Sequence, residues 1–156
     1  MTFAIEKALV TDVPAVYELL KQLSAKGLLL PRSYVNLYEM LQTFSVARSE
    51  GQRPGEIAGV GALQVAWEDL AEVRSLAVPE EHRKNGLGRR ITEALEDEAR
   101  KMGIRRMFTL TYAPVFFQKM GYRVVSLDSL PQKIWAVCFN CVHYPNCREI
   151  ALVKDF

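Results

Sequence analysis

The stretch Arg83-Lys84-Asn85-Gly86-Leu87-Gly88 joins two segments with different patterns of apolar residues. Before it, residues 73–78 form a short, mostly apolar run with the length of a buried strand. After it, apolar residues recur at helical spacing: Leu87, Ile91, Ala94, Leu95, Ala99 and Met102. The sequence therefore predicts a strand, a basic glycine-containing turn and a helix, in that order.

The chemistry of this turn favours an anion. The first N–H groups of a helix have no intrahelical partner and lie at the positive end of its dipole, where anions bind. Gly86 and Gly88 would let a ligand approach the backbone closely, and Arg83, Lys84 and Arg89 add positive charge. These features predict a cradle for a diphosphate. The alternative is an ordinary strand-to-helix turn with a solvated basic rim.

Length and composition are those of one globular domain spanning residues 1–156. The chain is 49% hydrophobic and 24% charged, which is ordinary for a globular protein with one core. A net charge of +2 gives no reason to expect a nucleic-acid partner. No apolar run approaches the ~18 residues of a membrane-spanning helix, and the first residues lack the order of a signal peptide. We therefore expect a cytoplasmic protein with neither a nucleic-acid nor a membrane partner.

Apolar periodicity and turn residues predict an α/β protein with a mixed sheet. We expect Thr11 or Asp12 to cap a first helix that ends at Gly27, and Ser33 to cap a second that carries apolar residues as far as Phe44. Strands are expected at residues 4–9, 45–48, 57–65, 71–78, 107–111 and 122–125, with a short helix at 114–120. Residues 134–138 and 150–153 are expected to add pairing at an edge of the sheet.

Three motifs, in this order, resemble the acetyl-CoA-binding core of the GNAT acetyltransferases. They are Glu72-Val73-Arg74-Ser75-Leu76-Ala77-Val78, the Arg-x-x-Gly-x-Gly turn at 83–88, and Phe116-Phe117-Gln118-Lys119-Met120-Gly121-Tyr122. The resemblance extends over nearly the full chain and implies the GNAT fold, in which helices flank a central mixed sheet. It also implies an acetyltransferase with acetyl-CoA as its co-substrate.

The same resemblance assigns residues to acetyl-CoA. In that family the strand before the turn splays from its neighbour, and its backbone binds the pantetheine arm, here through Leu76 and Val78. The N–H of Leu76 would also face the thioester oxygen and stabilise the oxyanion as an amine attacks. The implied cofactor-binding residues are Leu76, Ala77, Val78, Arg83, Lys84, Asn85, Gly86, Leu87, Gly88, Arg89 and Phe117.

Two flanking motifs resemble the acetyltransferase part of the N-acetylglutamate synthases, and most closely the short forms without an amino-acid-kinase domain. They are Leu30-Pro31-Arg32-Ser33 and Leu130-Pro131-Gln132-Lys133. The resemblance implies acetylation of the α-amine of L-glutamate, the first step of arginine biosynthesis, by a protein that forms a homodimer, as is common in the family. The alternatives are another amino acid or a protein N-terminus as acceptor, or a non-catalytic module that senses acetyl-CoA or metal.

A glutamate site needs cations, and arginine binds a carboxylate best because its planar fork forms two parallel hydrogen bonds. The family match places Arg32, with Ser33, on the substrate side. Basic side chains elsewhere add further substrate-binding candidates: Arg74, Lys133 and Arg148. The last of these stands in Cys147-Arg148-Glu149, where the family carries a basic pair, so the sequence departs from the family there.

The reaction requires a neutral amine, so a proton must leave the substrate ammonium directly or through water. Glu72 occupies the strand position at which many GNAT enzymes keep their base; the alternative is a solvated glutamate at a hairpin edge. His82 and His143 are rivals by residue type but not by position. Phe117 stands where many relatives carry a tyrosine that protonates the leaving thiolate, and Tyr112 is a substitute candidate.

A cluster near the C-terminus could bind metal. Cys138, Cys141, His143 and Cys147 supply three thiols and an imidazole, which suffice for a tetrahedral zinc site. Reduced free thiols are the ordinary state of cysteines in a cytoplasmic protein. We expect reduced thiols and no metal, with zinc as the alternative.

Overall fold

The computed structural model describes residues 2–27, 31–130 and 149–156. The strands of this part are β1 (Phe3–Lys7), β2 (Phe44–Ser49), β3 (Gly59–Trp67), β4 (Leu70–Ala77), β5 (Arg106–Thr111), β6 (Arg123–Val125) and β7 (Ile150–Asp155). Its α-helices are α1 (Val13–Ala25), α2 (Tyr34–Glu39), α3 (Leu87–Lys101) and α4 (Pro114–Lys119). No helix within these ranges is both long and apolar enough to cross a membrane.

The strands of the described ranges form one sheet in the order β1-β2-β3-β4-β5-β7-β6. From β1 to β4, consecutive strands are antiparallel neighbours, whereas β5 runs parallel to β4. Strand β7 is antiparallel to both β5 and β6. The prediction of an α/β protein with a mixed sheet is confirmed.

Strand β7 corrects the expectation of edge pairing at residues 150–153. It lies between β5 and β6, and β6 ends the sheet instead. Its central residues Ala151, Leu152 and Val153 are buried. A continuous apolar run is typical of a strand that is covered on both faces, and that pattern suits the interior of a sheet better than its edge. Residues 134–138 lie outside the described ranges.

Helices cover both faces of the sheet, so each side chain of β4 faces one of two helical layers. The apolar side of α3 packs against Ala71 and Val73. Helices α1 and α2 pack on the other face, against Val60 and Ala62 of β3. Because side chains alternate along a strand, and Arg74 is paired with Ala62, residues 72 and 74 of β4 lie on the face of α1 and α2.

Helix α3 approaches β3 closely because two glycines leave room for it. A Cβ at Gly61 would lie 2.7 Å from Cγ2 of Ile91, and one at Gly59 would lie 2.9 Å from Cδ1 of the same side chain. A larger residue at either position would require the Ile91 side chain or the helix itself to shift. The two glycines therefore allow the first half of α3 to pack close to β3.

The predicted cap is present at the start of α2, but the structure differs from the prediction at the start of α1. Ser33 caps α2, since its Oγ accepts the N–H of Asn36 at 3.0 Å, as predicted. Asp12 precedes α1 but its carboxylate does not cap that helix. It accepts the N–H groups of Leu9 and Gly55 instead, and it pairs with the guanidinium of Arg48. A buried arginine 36 residues away thus outcompetes the local cap.

Candidate active site

Strands β4 and β5 separate halfway along β4. Their pairing is limited to Leu70–Arg106, Ala71–Met107 and Glu72–Phe108, and β4 continues to Ala77 without a described partner on that side. The hydroxyl of Thr109 donates to the carbonyl of Val73 at 3.1 Å, where the two strands part. This is the splay that the family resemblance implies, and Leu76 and Val78 lie beyond its apex.

A bulge in β4 accompanies the splay. Between the pairs Ala62–Arg74 and Val60–Ala77, β4 contains one residue more than β3. Ser75 lies in this bulge with φ of 53°, and it is the non-glycine residue with positive φ in the described part of the chain. A bulge re-aims the backbone that follows it, so the direction of the Leu76 amide depends on this local turn.

The turn into α3 has the open geometry that the cradle prediction requires. Gly86 has φ of 68° at the N-cap of α3, and a Cβ placed there would have nothing within 4 Å. No side chain caps this helix end, so its first N–H groups are left to a ligand or solvent. The residues present therefore suit a diphosphate, because these backbone donors and the positive dipole end converge on open space.

The basic side chains around this turn have different partners. Arg83 donates from Nε to the carbonyl of Val78 at 3.0 Å and so ties the end of β4 to the turn. Arg89 pairs with Glu93 at 2.7 Å on the exposed side of α3. Lys84 and Asn85 are exposed. Of the cationic side chains at this turn, Arg83 and Lys84 are thus the ones without a carboxylate partner among the described residues.

The aromatic pair that follows β5 packs behind the turn. Phe117 is buried, and its ring makes edge contacts with Phe116 at 5.0 Å and Tyr122 at 5.3 Å between centroids. The ring of Phe116 lies against Gly88, where an added Cβ would be 3.3 Å away. Phe116, which the sequence analysis did not assign to the cofactor site, is thus the ring nearer to the turn.

A second cleft lies on the α1 and α2 face of the sheet, with a volume of about 360 Å³. Its lining is mostly polar: Pro31, Arg32, Ser33, Asn36, Met40, Gln64 and Arg74. Three of the predicted substrate-binding residues therefore border one space.

Arg32 is fixed on the α2 side of this cleft. Its Nε donates to Oγ of Ser75 at 2.8 Å, and its Nη1 donates to Oδ1 of Asn36 at 2.9 Å. The guanidinium also lies 5.1 Å from the ring centroid of Phe44, within cation–π distance. Burial, and then the positive charge of Arg74, lower the pKa of Arg32 to about 10, so it stays protonated at neutral pH.

Arg74 lines the β4 side of the cleft, and Glu72 lies next to Arg74. Nη1 of Arg74 donates to Oε1 of Gln64 at 2.6 Å, and its Nε lies 3.7 Å from Oε1 of Glu72. The Glu72 side chain is only 18% exposed, so the alternative of a solvated glutamate is wrong.

Glu72 has the most perturbed carboxyl group of the site. Burial raises its pKa from 4.5 to about 7. The positive charges of Arg74 and Arg32 oppose this rise, and the negative charge of Glu149 adds to it. A carboxyl group with this pKa can both accept and release a proton near neutral pH.

Sequence reasoning missed several residues of this site, chiefly Asn36, Gln64, Ser75 and Glu149. Asn36 follows Arg32 by four positions, a spacing that could have suggested a contact across one helical turn. Gln64 meets β4 only through the register of the β3–β4 hairpin, for which the sequence carries no separate signal.

Other predicted site residues fall outside or beside this cluster. Lys133, Arg148 and the group Cys138, Cys141, His143 and Cys147 lie outside the described ranges, so those predictions stand as they were made. His82 was expected on an exposed loop, but it lies half-buried in a 3₁₀ turn with its ring 5.9 Å from that of Phe3.

Known acetyltransferases are similar to this chain in sequence and in fold. An uncharacterized N-acetyltransferase of Chlorobaculum tepidum is 37% identical over 150 residues, which are 96% of this chain and 94% of that protein. An amino-acid acetyltransferase of Mycobacterium tuberculosis is 36% identical over 118 residues, covering 76% of this chain and 67% of the relative.

Among solved structures, the N-acetylglutamate synthase from Neisseria gonorrhoeae, complexed with coenzyme A and N-acetyl-glutamate, superposes with a TM-score of 0.89 at 27% identity. The match covers 99% of this chain but 35% of that enzyme, so this chain spans about a third of its length. The family model described as the acetyltransferase (GNAT) family matches residues 14–122. The chain therefore belongs to the GNAT acetyltransferase family and is an acetyl-CoA-dependent N-acetyltransferase.

Proposed function

We propose that this protein transfers the acetyl group of acetyl-CoA to the α-amine of an amino acid, and that this amino acid is L-glutamate. The observation that carries the proposal is the cleft in which Arg32 and Arg74 lie beside Glu72, next to the splay of β4. Two guanidinium groups suit an acceptor with two carboxylates. The similarity to amino-acid acetyltransferases and to N-acetylglutamate synthase supports the same acceptor.

Glu72 is the proposed general base. A base works best when its pKa lies near the working pH, because it is then ionised often enough to accept a proton and holds that proton firmly enough. With a pKa of about 7, a large fraction of Glu72 is ionised at neutral pH. It would remove a proton from the substrate ammonium, directly or through water, before the amine attacks the thioester.

The acetyl donor is proposed to lie along the splayed half of β4. The backbone of Leu76 and Val78 would hold the pantetheine arm, with the N–H of Leu76 as the donor to the oxyanion. Residues 83–89 at the start of α3 would hold the diphosphate. Phe117 has no proton to give the leaving thiolate, so water or Tyr112, which follows β5, is the proposed donor.

Several broader predictions accompany this proposal. A role in arginine biosynthesis follows from glutamate as the acceptor. A cytoplasmic location and a homodimer stay predictions from the sequence and the family resemblance, as do Lys133 and Arg148 as substrate-binding residues.

The test is release of CoA from acetyl-CoA across single amino acids and short peptides. We expect the highest kcat/KM with L-glutamate. Acetylation of peptide N-termini with no turnover of free glutamate would reject the proposal. Binding of acetyl-CoA without turnover of any amine would favour a sensing module.

Arg32→Ala is expected to raise the KM for glutamate about tenfold to a hundredfold, because a charge-assisted hydrogen bond contributes about 1.5–3 kcal/mol. The KM for acetyl-CoA should stay within about twofold, since the donor binds elsewhere. The matched control is Arg53→Ala, because Arg53 is 85% exposed and pairs only with Glu56 among the described ion pairs. An unchanged glutamate KM in Arg32→Ala would remove this residue from the site.

A further inference from the structure

The two arginines of the cleft are held by neutral groups. The described hydrogen-bond acceptors of Arg32 are the hydroxyl of Ser75 and the amide oxygen of Asn36. That of Arg74 is the amide oxygen of Gln64. Glu72 forms an ion pair with Arg74 at 3.7 Å, which is beyond hydrogen-bond distance, so it does not orient the guanidinium directly.

Arg48 shows the contrasting arrangement in the same protein. Its guanidinium donates to both carboxylate oxygens of Asp12, at 3.1 and 2.9 Å, and to Glu6 at 2.6 Å. Two carboxylates both orient that side chain and neutralise it. Arg48 therefore has a structural role, and its charge is not available to a ligand.

A neutral acceptor has a different effect. An amide oxygen fixes the direction of a guanidinium without cancelling its charge, because the amide is neutral. Arginine has five N–H donors, so one such contact leaves other donors for a ligand. In the described part of the chain, Nη2 of both Arg32 and Arg74 has no hydrogen-bond partner. Each arginine thus keeps at least one outer donor that no described residue occupies.

The two charges also act on one another across the cleft. The charge of Arg74 helps to lower the pKa of Arg32, which places the two guanidinium groups within electrostatic reach. The two like charges repel one another, and because Glu72 offsets only part of this repulsion, a bound anion is favourable. A ligand with two carboxylates relieves that repulsion better than a ligand with one.

We propose that Asn36 and Gln64 are positioning residues that set the acceptor specificity: they orient Arg32 and Arg74 through neutral amide oxygens, so that outward donors of both cations face the cleft and select an amino acid with two carboxylates. This inference rests on the proposed function and adds residues to it. The amide NH₂ groups of both side chains have no hydrogen-bond partner among the described residues, so each can donate to a bound carboxylate.

Asn36→Asp and Gln64→Glu test the inference, since each keeps the shape and the acceptor but adds a negative charge. The fold should tolerate Asn36→Asp, because position 36 lies in the first turn of α2, where a carboxylate is favourable. Gln52→Glu is the matched control, because the Oε1 of Gln52 accepts the N–H of Ser49 in a turn and Gln52 does not line the cleft.

The expected result is a KM for glutamate raised at least about tenfold in each cleft variant, with the KM for acetyl-CoA within about twofold of wild type. Gln52→Glu should leave both constants unchanged. At least one cleft variant should also reduce the preference for glutamate over glutamine, which lacks the second carboxylate. Unchanged glutamate KM values in both cleft variants, with thermal unfolding as in wild type, would overturn the inference.

Failure of the proposed function can be distinguished from failure of this inference. If wild type acetylates no glutamate, the proposed function is wrong. Calorimetric binding of glutarate, a dicarboxylate without an amine, then tests whether the cleft selects dicarboxylates. Binding by wild type and Gln52→Glu, together with loss in Asn36→Asp and Gln64→Glu, would support it. No binding by wild type, or equal binding by all four proteins, would overturn it.

Discussion

A carboxyl group beside two arginines would ordinarily have a lowered pKa. Glu72 shows the opposite, because burial raises its pKa from 4.5 to about 7 despite the charges of Arg74 and Arg32. Desolvation, with a smaller contribution from the negative charge of Glu149, therefore outweighs the effect of the two cations. The distance of 3.7 Å to Arg74 explains part of this, since no short hydrogen bond stabilises the ionised form.

We expect kcat to fall as pH drops below about 7, because a protonated Glu72 cannot accept a proton. Glu72→Gln should lower kcat by about 10²- to 10⁴-fold at pH 8 and abolish the dependence near pH 7, with little change in the KM for acetyl-CoA. Steady-state rates between pH 5.5 and 8.5 measure both effects. Glu68→Gln is the control, since Glu68 is exposed in the β3–β4 turn. If the pH profile of Glu72→Gln is identical to that of wild type, Glu72 is not the base.

The stability of the same variant separates chemistry from damage to the fold. Because the pKa of Glu72 is raised in the folded state, the stability that its proton provides is full below pH 4.5 and is lost as pH rises through about 7. Glu72→Gln stays neutral, so at pH 8 its free energy of unfolding should be no lower than that of wild type. A clear fall in stability at pH 8 would mean that the lost activity reflects misfolding.

At the scale of the element, the start of α3 combines a left-handed glycine with open space. Gly27, which follows α1, provides a natural comparison. Its φ is 72° against 68° for Gly86, and neither position has another atom within 4 Å of an added Cβ. The two glycines thus share the same backbone demand, and only Gly86 lies at the proposed diphosphate site.

Gly86→Ala and Gly27→Ala should each lower the free energy of unfolding by about 1–2 kcal/mol, since alanine is strained at positive φ. Only Gly86→Ala should also raise the KM for acetyl-CoA, because its methyl group would occupy the space above the first N–H groups of α3. Urea denaturation and steady-state kinetics measure the two effects. Equal acetyl-CoA KM values in both variants would contradict the cradle at this turn.

At the scale of the whole molecule, buried charge pairs join segments that are distant in sequence. Asp12 is fully buried before α1, and it contacts Arg48 of β2 and the N–H of Gly55 in the β2–β3 turn. Although burial opposes it, hydrogen bonds from Arg48, Leu9 and Gly55 hold the pKa of Asp12 below its ordinary value. This carboxylate therefore stabilises the fold in its ionised form.

Asp12→Ala should lower the free energy of unfolding by about 3–5 kcal/mol, because it leaves a buried arginine without its main partner. In wild type, the contribution of Asp12 should be present above pH 3.8 and be lost as pH falls through its lower folded-state pKa. Urea unfolding at pH 7 and pH 3 measures both. Glu6→Ala removes the half-exposed partner of Arg48 and should lower the free energy of unfolding by at most about 1 kcal/mol. Equal losses in Asp12→Ala and Glu6→Ala would contradict the prediction that Asp12 contributes more.

Local patterns were sufficient for much of the architecture. The turn at residues 83–89, the helix after it and the cap at Ser33 depend on neighbours within a few residues, so composition and spacing reveal them. Asp12 illustrates the limit, because its partner lies 36 residues away and removes it from the local capping role. Strand β7 is a similar case, since an apolar run predicts a strand but not its neighbours.

The sequence by itself determined the order of elements, the glycine-containing basic turn proposed to bind the diphosphate and the residue types of the proposed acceptor site, because helix periodicity, glycine placement and charge can be read along the chain. Only the tertiary structure decided that Arg32 and Arg74 share one cleft, that Asn36 and Gln64 hold them, and that burial raises the pKa of Glu72. The physical reason is that distance and desolvation depend on how the hairpin of β3 and β4 packs under α2. Both the distances between these side chains and the desolvation of Glu72 are set only when the strands pair in register.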